Sequence, residues 1–533
     1  MIRGFRQIAV LTTLSRILGM LRDMAFAYFL GAGGLMDGWA IAFKIPNLTR
    51  RLFGEGAAAS SLIPIYSTEL RRDPESANKL ALSLVTVVFV LLAAVTVLGE
   101  AFIWLYYRFV ATYDGTRLVL ALSGVMLPYM VLICTVAIVA GILNAHRHFA
   151  APAAAPMLLN IFILAALCLG GWVLKLPSRT QVFLVAVVVL LAGLAQLAVQ
   201  LPPLWSRGIR LRPAWDVRSA PFRKVFLLMG PMVLGLTATQ INTLVNDFTA
   251  LWLSGSAEKG EFFTVLGQAV HYPLWEGAVS HLFYAQRLYQ FPLGIFGISL
   301  ATAVFPVMSA DAARQDFAGL CRTVSRGLRC TLFIALPATV GLVLVSRPLV
   351  AVLLERGKFT GTDTWLTAVT LSFYALGLCG YFAQQVLTRA FYSLQESGTP
   401  ARSAVLAVLA NVILSVTLVW FLGSGGLAAA TALCSYLQVT ILALALRRRL
   451  GPAVLAEMGR ALRDTILATL CMAAAVVGVR YLFHDYGNGL LLLAAVPTGA
   501  VIYLLAAKLL HIEMLSLLWS DRGHRAAADG VHP

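Results

Sequence analysis

The chain has 533 residues, of which 59% are hydrophobic and only 12% are charged, and its mean hydropathy is +0.83. Because a soluble globular protein is about one quarter charged, this composition excludes a typical soluble enzyme and indicates a polytopic membrane protein. The formal net charge is +17, but the Lys and Arg residues lie mostly in short loops between apolar runs, without interleaved aromatic residues, so no nucleic-acid partner is expected.

Long apolar runs follow one another along the whole chain. A membrane-spanning helix needs about 20 mostly apolar residues, and by this rule the sequence predicts fourteen such helices. The first run does not resemble a cleavable signal peptide, because it contains charged residues and lacks a small-residue cleavage site. In chain order the predicted spans are 7–30, 35–69, 80–106, 118–144, 157–174, 182–203, 222–253, 279–310, 321–345, 365–394, 402–421, 426–446, 461–482 and 489–510. The second and eighth spans are longer than required and contain Pro or Gly, so we expect both to be bent or broken.

The loops differ strongly in charge between the two sides of the predicted membrane. One set carries most of the Lys and Arg residues, in clusters at 71–79, 207–224, 314–329 and 447–463. The positive-inside rule assigns this side to the cytoplasm. Both termini fall on the same side, as an even number of spans requires.

No motif indicates catalysis or a bound metal. The chain has no Walker A loop, no HExxH, no GxSxG and no Cys/His spacing typical of a metal site, and none of its seven cysteines forms a CxxC pair. We therefore expect no enzyme activity, no catalytic residue, no cofactor and no metal, and we interpret the cysteines as small buried hydrophobic residues. The long outer loop at 254–278 carries several aromatic residues, and an interfacial helix is one interpretation of it.

Two pairs of segments indicate an internal repeat. FGEGAAASSLIPIYS at 53–67 resembles FGISLATAVFPVMS at 296–309, and GILNAHRHFAAPA at 141–153 matches the pattern of RAFYSLQESGTPA at 389–401. The two offsets, about 243 and about 248 residues, nearly agree, which favours a six-helix unit used twice. Units with an even number of helices are parallel, with a cavity expected between them.

Charged and polar residues inside the predicted spans are the main functional signal. On a helical wheel one face of the second span carries Asp37, Lys44, Asn47, Arg51 and Glu55. The first span adds Arg16, Arg22 and Asp23, and the eighth adds Arg287. One interpretation is that these groups form neutral pairs, because intramembrane charges commonly pair. The cations outnumber the carboxylates, however, which favours an anionic substrate, since Arg binds phosphate bidentately.

Several stretches resemble one known family. TLSRILGMLRDMAFAYFLGAG at 13–33 and DGWAIAFKIPNLTRRLFGEGAAASSLIPIY at 37–66 are similar to the first two helices of the MurJ (MviN) family of lipid II flippases, part of the multidrug/oligosaccharidyl-lipid/polysaccharide exporter superfamily. The similarity continues in FYAQRLYQFPLGIFGISL at 283–300, ERGKFTGTDT at 355–364 and RAFYSLQESGTPARSAV at 389–405, so it covers nearly the whole chain.

The resemblance implies an all-α polytopic membrane protein with fourteen transmembrane helices. Two parallel six-helix lobes would surround a central cationic cavity, and two C-terminal helices would form a groove for a lipid tail. The corresponding ranges are an N-lobe at 1–205, a cytoplasmic linker at 206–221, a C-lobe at 222–447, the groove helices at 448–510 and a cytoplasmic tail at 511–533. The implied substrate is lipid II, an undecaprenyl-pyrophosphate disaccharide-pentapeptide, moved across the bacterial inner membrane by a monomer. Membrane lipids and the cell-wall synthesis machinery are the other implied partners.

The resemblance also implies roles for single residues. Arg22, Arg50 and Arg287 match cavity arginines that engage the pyrophosphate, and the positions of Arg16 and Asn160 match others important in the family. Asp23, Asp37, Glu55 and Ser280 match positions for gating or binding, to which the helical wheel adds Lys44, Asn47 and Arg51 as gating or ion-pair residues. The candidate site for a monovalent ion consists of Asn246, Asp247 and Asn411.

The sequence departs from the family pattern at this ion site and beside Arg287. Asn246 stands where the family often has an acidic residue, and Asp247 is displaced from it by one position, or about 100° around a helix. Ser415 stands where a carboxylate can occur, which argues against sodium as a coupling ion. Gln286 and Gln290 replace acidic neighbours of Arg287.

Other functions remain as alternatives. A second exporter of the superfamily, moving polyprenyl-linked O-antigen glycans or drugs, would share the fold, although a drug cavity should contain carboxylates rather than cations. A polytopic glycosyltransferase should show a catalytic carboxylate in a substantial outer domain, and the outer loops, including 254–278, are short compared with such a domain. A non-transporting scaffold would tolerate loss of the intramembrane arginines.

Overall fold

A computed structural model of the protein describes the fold of residues 2–50, 58–265 and 267–515. The described chain is mostly helical, because in a bilayer a helix satisfies every backbone polar group within its own segment. The first nine helices are α1 Ile2–Leu30, α2 Gly34–Thr49, α3 Ala58–Arg72, α4 Pro74–Phe109, α5 Asp114–Met126, α6 Tyr129–Ala145, α7 Ala150–Cys168, α8 Ser178–Trp205 and α9 Ala220–Trp252. The remainder are α10 Ala278–Pro292, α11 Ile298–Ala313, α12 Phe317–Leu354, α13 Gly361–Leu376, α14 Leu378–Ser393, α15 Gly398–Leu422, α16 Ser424–Leu450, α17 Met458–Leu482 and α18 Asn488–Leu509.

Within the described ranges, eleven helical stretches are long and apolar enough to cross a membrane. They cover the predicted spans from the third to the sixth and from the eighth to the fourteenth. The other three predicted spans coincide with α1, with α2 and α3 together, and with α9. The prediction of an all-α multi-pass membrane protein is confirmed.

Several spans change their helical geometry partway. The eighth predicted span is interrupted by a π-helical turn at Leu293–Gly297 between α10 and α11, as the Pro and Gly residues there predicted. The second is described as two helices, α2 and α3, and residues 51–57 lie outside the described ranges. The fourth divides into α5 and α6 at Pro128, which has no backbone N–H to donate.

The helices group into two compact units. The first comprises residues 1–280 with the short segment 354–363, and the second comprises 281–353 with 364–533. The first unit therefore includes α9, which the sequence prediction had placed after the lobe boundary at 206–221. In the second unit one apolar cluster includes Leu320, Val386 and Leu442, and another joins α12 to α17 and α18 around Phe333, Met472 and Tyr503.

The outer loop between α9 and α10 forms strands rather than the interfacial helix considered from the sequence. Strands β1 Ser254–Gly255 and β4 Leu274–Trp275 pair in parallel, and β2 Phe262–Val265 pairs antiparallel with β3 Gln268–His271. Glu258 anchors the loop by accepting a hydrogen bond of 2.6 Å from the backbone N–H of Asp114. Burial lowers the pKa of the neighbouring Lys259 side chain. The negative charge of nearby Glu258 raises this pKa and so partly offsets the effect of burial.

The same turn occurs at both copies of one repeated segment. Arg147, between α6 and α7, and Gln395, between α14 and α15, both have φ of 58° although neither is glycine. The backbone N–H of Arg147 donates to Asn144, and that of Gln395 donates to Tyr392. The backbone hydrogen bonds of the residues on either side of the first turn also match those around the second turn, at an offset of about 248 residues. The structure therefore supports the repeat that the sequence indicated.

Candidate functional site

Arg22 on α1 lies in a buried polar cluster with two other predicted site residues. Its Nε and Nη2 groups donate to Oδ1 of Asp23 at 3.0 and 2.6 Å, and Nη1 donates to Oδ1 of Asn160 on α7 at 2.9 Å. Asn160 in turn donates through Nδ2 to the carbonyl oxygen of Ser15 at 3.1 Å. Arg22 is 7% exposed and Asp23 is 4% exposed. The cluster thus fixes a guanidinium between two helices and uses three of its five N–H donors.

The pairing interpretation is correct for Arg22 and Asp23. Their ion pair neutralises a charge that would otherwise be costly to insert in the membrane. The pair forms between adjacent residues on one helix, so it does not by itself tie helices together. The contact between helices comes from Asn160.

A second ion pair joins α2 to α9. The ammonium group of Lys44 donates a hydrogen bond to Oδ2 of Asp247, whose side chain is 6% exposed, whereas that of Lys44 is 23% exposed. The sequence analysis assigned Lys44 to the gating or ion-pair residues but did not identify its partner, which lies 203 positions away. One oxygen of the candidate ion site is therefore already bound by a side-chain cation.

Asp37 on α2 caps the beginning of α10. Its Oδ2 accepts from the backbone N–H of Gly277 at 2.6 Å, and Oδ1 accepts from the N–H and Oγ of Ser280 at 2.7 and 2.5 Å. The first N–H groups of a helix have no partner within the helix, and a carboxylate there is also stabilised by the helix dipole. Asp37 is 5% exposed and Ser280 is fully buried. Ser280 thus serves here as part of a helix cap.

We expect Asp37→Ala to destabilise this cap. Each hydrogen bond from a neutral donor to a carboxylate contributes about 1.5–3 kcal/mol, and the three donors would be left buried. Thermal unfolding of the purified protein in detergent should show a lower Tm for Asp37→Ala than for Asp37→Asn, which keeps an acceptor oxygen. Equal Tm values for the alanine variant and the wild type would contradict the capping role.

The remaining predicted residues of the first unit are less buried. Arg50 donates through Nε to Oδ1 of Asn47 at 3.1 Å, one turn earlier on the same segment. Arg16 on α1 is exposed, and Asn246 is buried on α9 beside Asp247. Arg51 and Glu55 lie outside the described residues.

In the second unit, Arg287 lies among aromatic and amide side chains. Its guanidinium carbon is 4.9 Å from the centroid of the Phe283 ring, one turn earlier on α10, in a cation–π contact. The neighbouring Gln286 donates to the hydroxyl of Tyr374 at 3.0 Å, and Tyr374 stacks on Tyr289 at 4.9 Å between ring centroids. Asn411 is fully buried on α15. On its own helix Arg287 thus has an aromatic ring one turn earlier and an amide side chain beside it.

The described residues contain no group of three or more His, Cys, Asp or Glu side chains that could hold a metal ion. The arrangement instead offers fixed guanidinium groups with N–H donors, which suits recognition of a phosphate anion.

One carboxyl within a predicted span, that of Glu100 on α4, was not among the predicted site residues. Its signal in the sequence was a lone Glu within the apolar run 80–106.

Solved structures share this fold, including the following two. The structure described as "Inward-facing conformation of a multidrug resistance MATE family transporter of the MOP superfamily" superposes with a TM-score of 0.64 at 15% identity, over 82% of this chain and 95% of that one. "Lipid II flippase MurJ, inward closed conformation" gives a TM-score of 0.76 at 24% identity, over 95% of this chain and 99% of that one. The chain is therefore a multi-pass membrane protein with the same fold as these two solved transporters.

Sequence comparison narrows this class to one family. The family described as "Lipid II flippase MurJ" matches residues 26–496. A "Probable lipid II flippase MurJ" of Vibrio cholerae is 31% identical over 82% of this chain and 81% of its own length. The "Lipid II flippase MurJ" of Burkholderia cenocepacia is 30% identical over 84% of both chains. The chain belongs to the MurJ lipid II flippase family, as the resemblance of its first two helices indicated.

Proposed function

We propose that this protein is a lipid II flippase that moves the undecaprenyl-pyrophosphate-linked precursor from the cytoplasmic to the periplasmic leaflet of the bacterial inner membrane. The match of one family to residues 26–496 carries this proposal. Translocation makes and breaks no covalent bond, so the protein acts as a transporter and not as an enzyme.

The proposed recognition element is a set of arginines directed at the pyrophosphate. Arg22 supports this role because Asp23 and Asn160 hold its guanidinium in one orientation while two of its five N–H donors have no partner among the described residues. Arg16, Arg50 and Arg287 are the further proposed cations. Ser280 contributes by positioning Asp37 at the start of α10.

The proposed architecture has fourteen spans, in two six-helix lobes followed by two helices for the lipid tail, with both termini in the cytoplasm. Transport would proceed by alternating access in a monomer. Inward movement of the cationic groups under the membrane potential, worth about 2.3 kcal/mol per charge per 100 mV, would help to reset the carrier. Sodium at Asp247 is not part of the proposal, since Lys44 already binds that carboxylate.

The proposal is tested by complementation of a bacterial strain depleted of its own flippase. Expression of this protein should restore growth, and lipid II should become accessible at the outer leaflet in the same cells. Growth without lipid II at the outer leaflet would indicate another activity. Failure of a correctly inserted wild-type protein in both measurements would reject the function.

Arg287→Ala should abolish complementation, because it removes the proposed cation of the second unit while leaving the stacking of Tyr289 on Tyr374 in place. Arg322→Ala is the matched control, since Arg322 is an exposed residue at the start of α12. Membrane levels of both variants should equal the wild type on immunoblots. Full growth with Arg287→Ala would eliminate the role assigned to Arg287.

A further inference from the structure

Glu100 is a carboxyl group on α4, a helix that is long and apolar enough to cross a membrane, and it lies within the predicted span 80–106. Its Oε1 atom is buried and has no hydrogen-bond partner among the described residues, and it forms no ion pair there. Trp104 and Tyr107 follow on the same helix and are exposed, as is typical of residues near a membrane interface. Glu100 therefore lies about 6 Å or more inside this aromatic region along the helix axis, where an ionised carboxylate without a partner is costly.

The residues nearest Glu100 in this argument are a second buried polar residue on α4 and a glycine on the facing helix α5. Thr96, one turn earlier on α4, is 8% exposed, and its hydroxyl also has no hydrogen-bond partner among the described residues. On the facing helix is Gly124, where an added Cβ would lie only 3.2 Å from Oε2 of Glu100. The glycine thus makes room for the carboxyl of Glu100, and neither Oε1 of Glu100 nor the hydroxyl of Thr96 has a hydrogen-bond partner among the described residues.

The charged groups around Glu100 lie at a distance along the helices. On α4 itself the nearest is Arg108, about 12 Å along the axis. The helices packed most extensively against α4 are α3, α5, α6 and α9. On α5 the nearest charged residue, Arg117, is about 10 Å along the axis from Gly124 and donates to the carbonyl oxygen of Ala111. The charged residues of α3, which are Glu69, Arg71 and Arg72, lie beside the beginning of α4, about 39 Å along its axis from Glu100.

The other two neighbouring helices also provide no counter-ion. Helix α6 contains no Asp, Glu, Lys or Arg, and its titratable groups are Tyr129 and Cys134. On α9, Arg223 and Lys224 lie at the beginning of the helix, and Asp247 is paired with Lys44. A metal cation is also a poor fit, because Glu100 and Thr96 supply at most three oxygen atoms, whereas Ca²⁺ takes about 6–8. A proton is therefore the ligand that suits the carboxyl group of Glu100.

The other intramembrane carboxyls described in the first unit already have partners. Asp23 is bound to Arg22, Asp247 to Lys44, and Asp37 to the start of α10. We propose that Glu100 is a proton-binding site, protonated at neutral pH, through which a pH gradient across the membrane acts on the transport cycle. The transport part of this inference rests on the proposed function, whereas protonation of Glu100 does not.

The first test is labelling of the full-length protein in lipid vesicles with dicyclohexylcarbodiimide, an apolar reagent that modifies protonated carboxyl groups in apolar surroundings. Peptide mass spectrometry should find Glu100 labelled near pH 7. Once the pH exceeds the pKa of Glu100, labelling should fall about tenfold for each further pH unit, because the protonated fraction falls by that factor. Glu100→Gln should remove the label. Glu75, an exposed carboxyl at the start of the same helix, should remain unlabelled. Absence of label on Glu100 at about pH 6 would overturn the proposal.

The second test measures lipid II translocation in the same vesicles with and without an imposed pH gradient. The gradient should change the wild-type rate severalfold, and Glu100→Gln, which mimics the protonated acid in shape, should remove that response. Glu75→Gln is the control and should respond as the wild type does. A wild type that translocates lipid II with no response to the gradient, or an unchanged response in Glu100→Gln, would overturn the transport role. A wild type that translocates no lipid II would contradict the proposed function, while the labelling still decides the protonation of Glu100.

Discussion

Replacing Arg22 with Ala should abolish growth of a flippase-depleted cell and also destabilise the protein. The side chain provides the cation of the cluster with Asp23 and Asn160. Asp23 is 4% exposed, so the variant breaks a buried ion pair, at a cost of about 3–5 kcal/mol. Growth on depletion and the Tm in detergent are the two measurements.

A double variant separates the two effects. Arg22→Ala with Asp23→Ala removes both charges, so stability should largely recover, whereas growth should not, because the proposed phosphate donors are still missing. Arg22→Lys tests geometry, since it keeps the charge but loses the planar fork that binds phosphate bidentately. Restored growth in the double variant would show that Arg22 only neutralises Asp23.

Lys44→Ala should produce a comparably large loss of stability in a different part of the first unit. Its removal leaves the buried carboxylate of Asp247 without a counter-ion, and breaking such a pair costs about 3–5 kcal/mol. Asp247→Asn should cost less than Lys44→Ala, because the Lys44 side chain is 23% exposed and its ammonium group is less dependent on this one partner. Thermal unfolding of both variants measures this asymmetry.

The combination Lys44→Met with Asp247→Asn provides the control, because it removes both charges while keeping similar side-chain volumes. Its Tm should lie near the wild type, since replacing a buried ion pair by neutral groups is often close to neutral. If the double variant is as unstable as Lys44→Ala, the loss comes from packing rather than from the uncompensated charge. If it transports normally, the pair serves stability alone.

The helices and their approximate limits were predictable from the sequence for a local reason. A membrane helix satisfies its backbone hydrogen bonds within its own segment, so a run of apolar residues is sufficient to define it. The interruption of the eighth span at Leu293–Gly297 was predictable for a local reason as well, because the span contains Pro and Gly residues. The internal repeat was indicated by a sequence match, and the shared turn at Arg147 and Gln395 supports it.

The partners of the charged residues were decided only by the tertiary structure. Arg22 and Asp23 are adjacent, and their pairing was visible in the sequence. Asn160 is 138 positions from Arg22, Asp247 is 203 from Lys44, and Ser280 is 243 from Asp37, and apolar periodicity carries no information about which helix faces which. Thus the sequence by itself determined where the membrane helices lie and that they carry an excess of cations. Only the packing of the helices decided which of those charges are neutralised, because a counter-ion is chosen by distance in space and not along the chain.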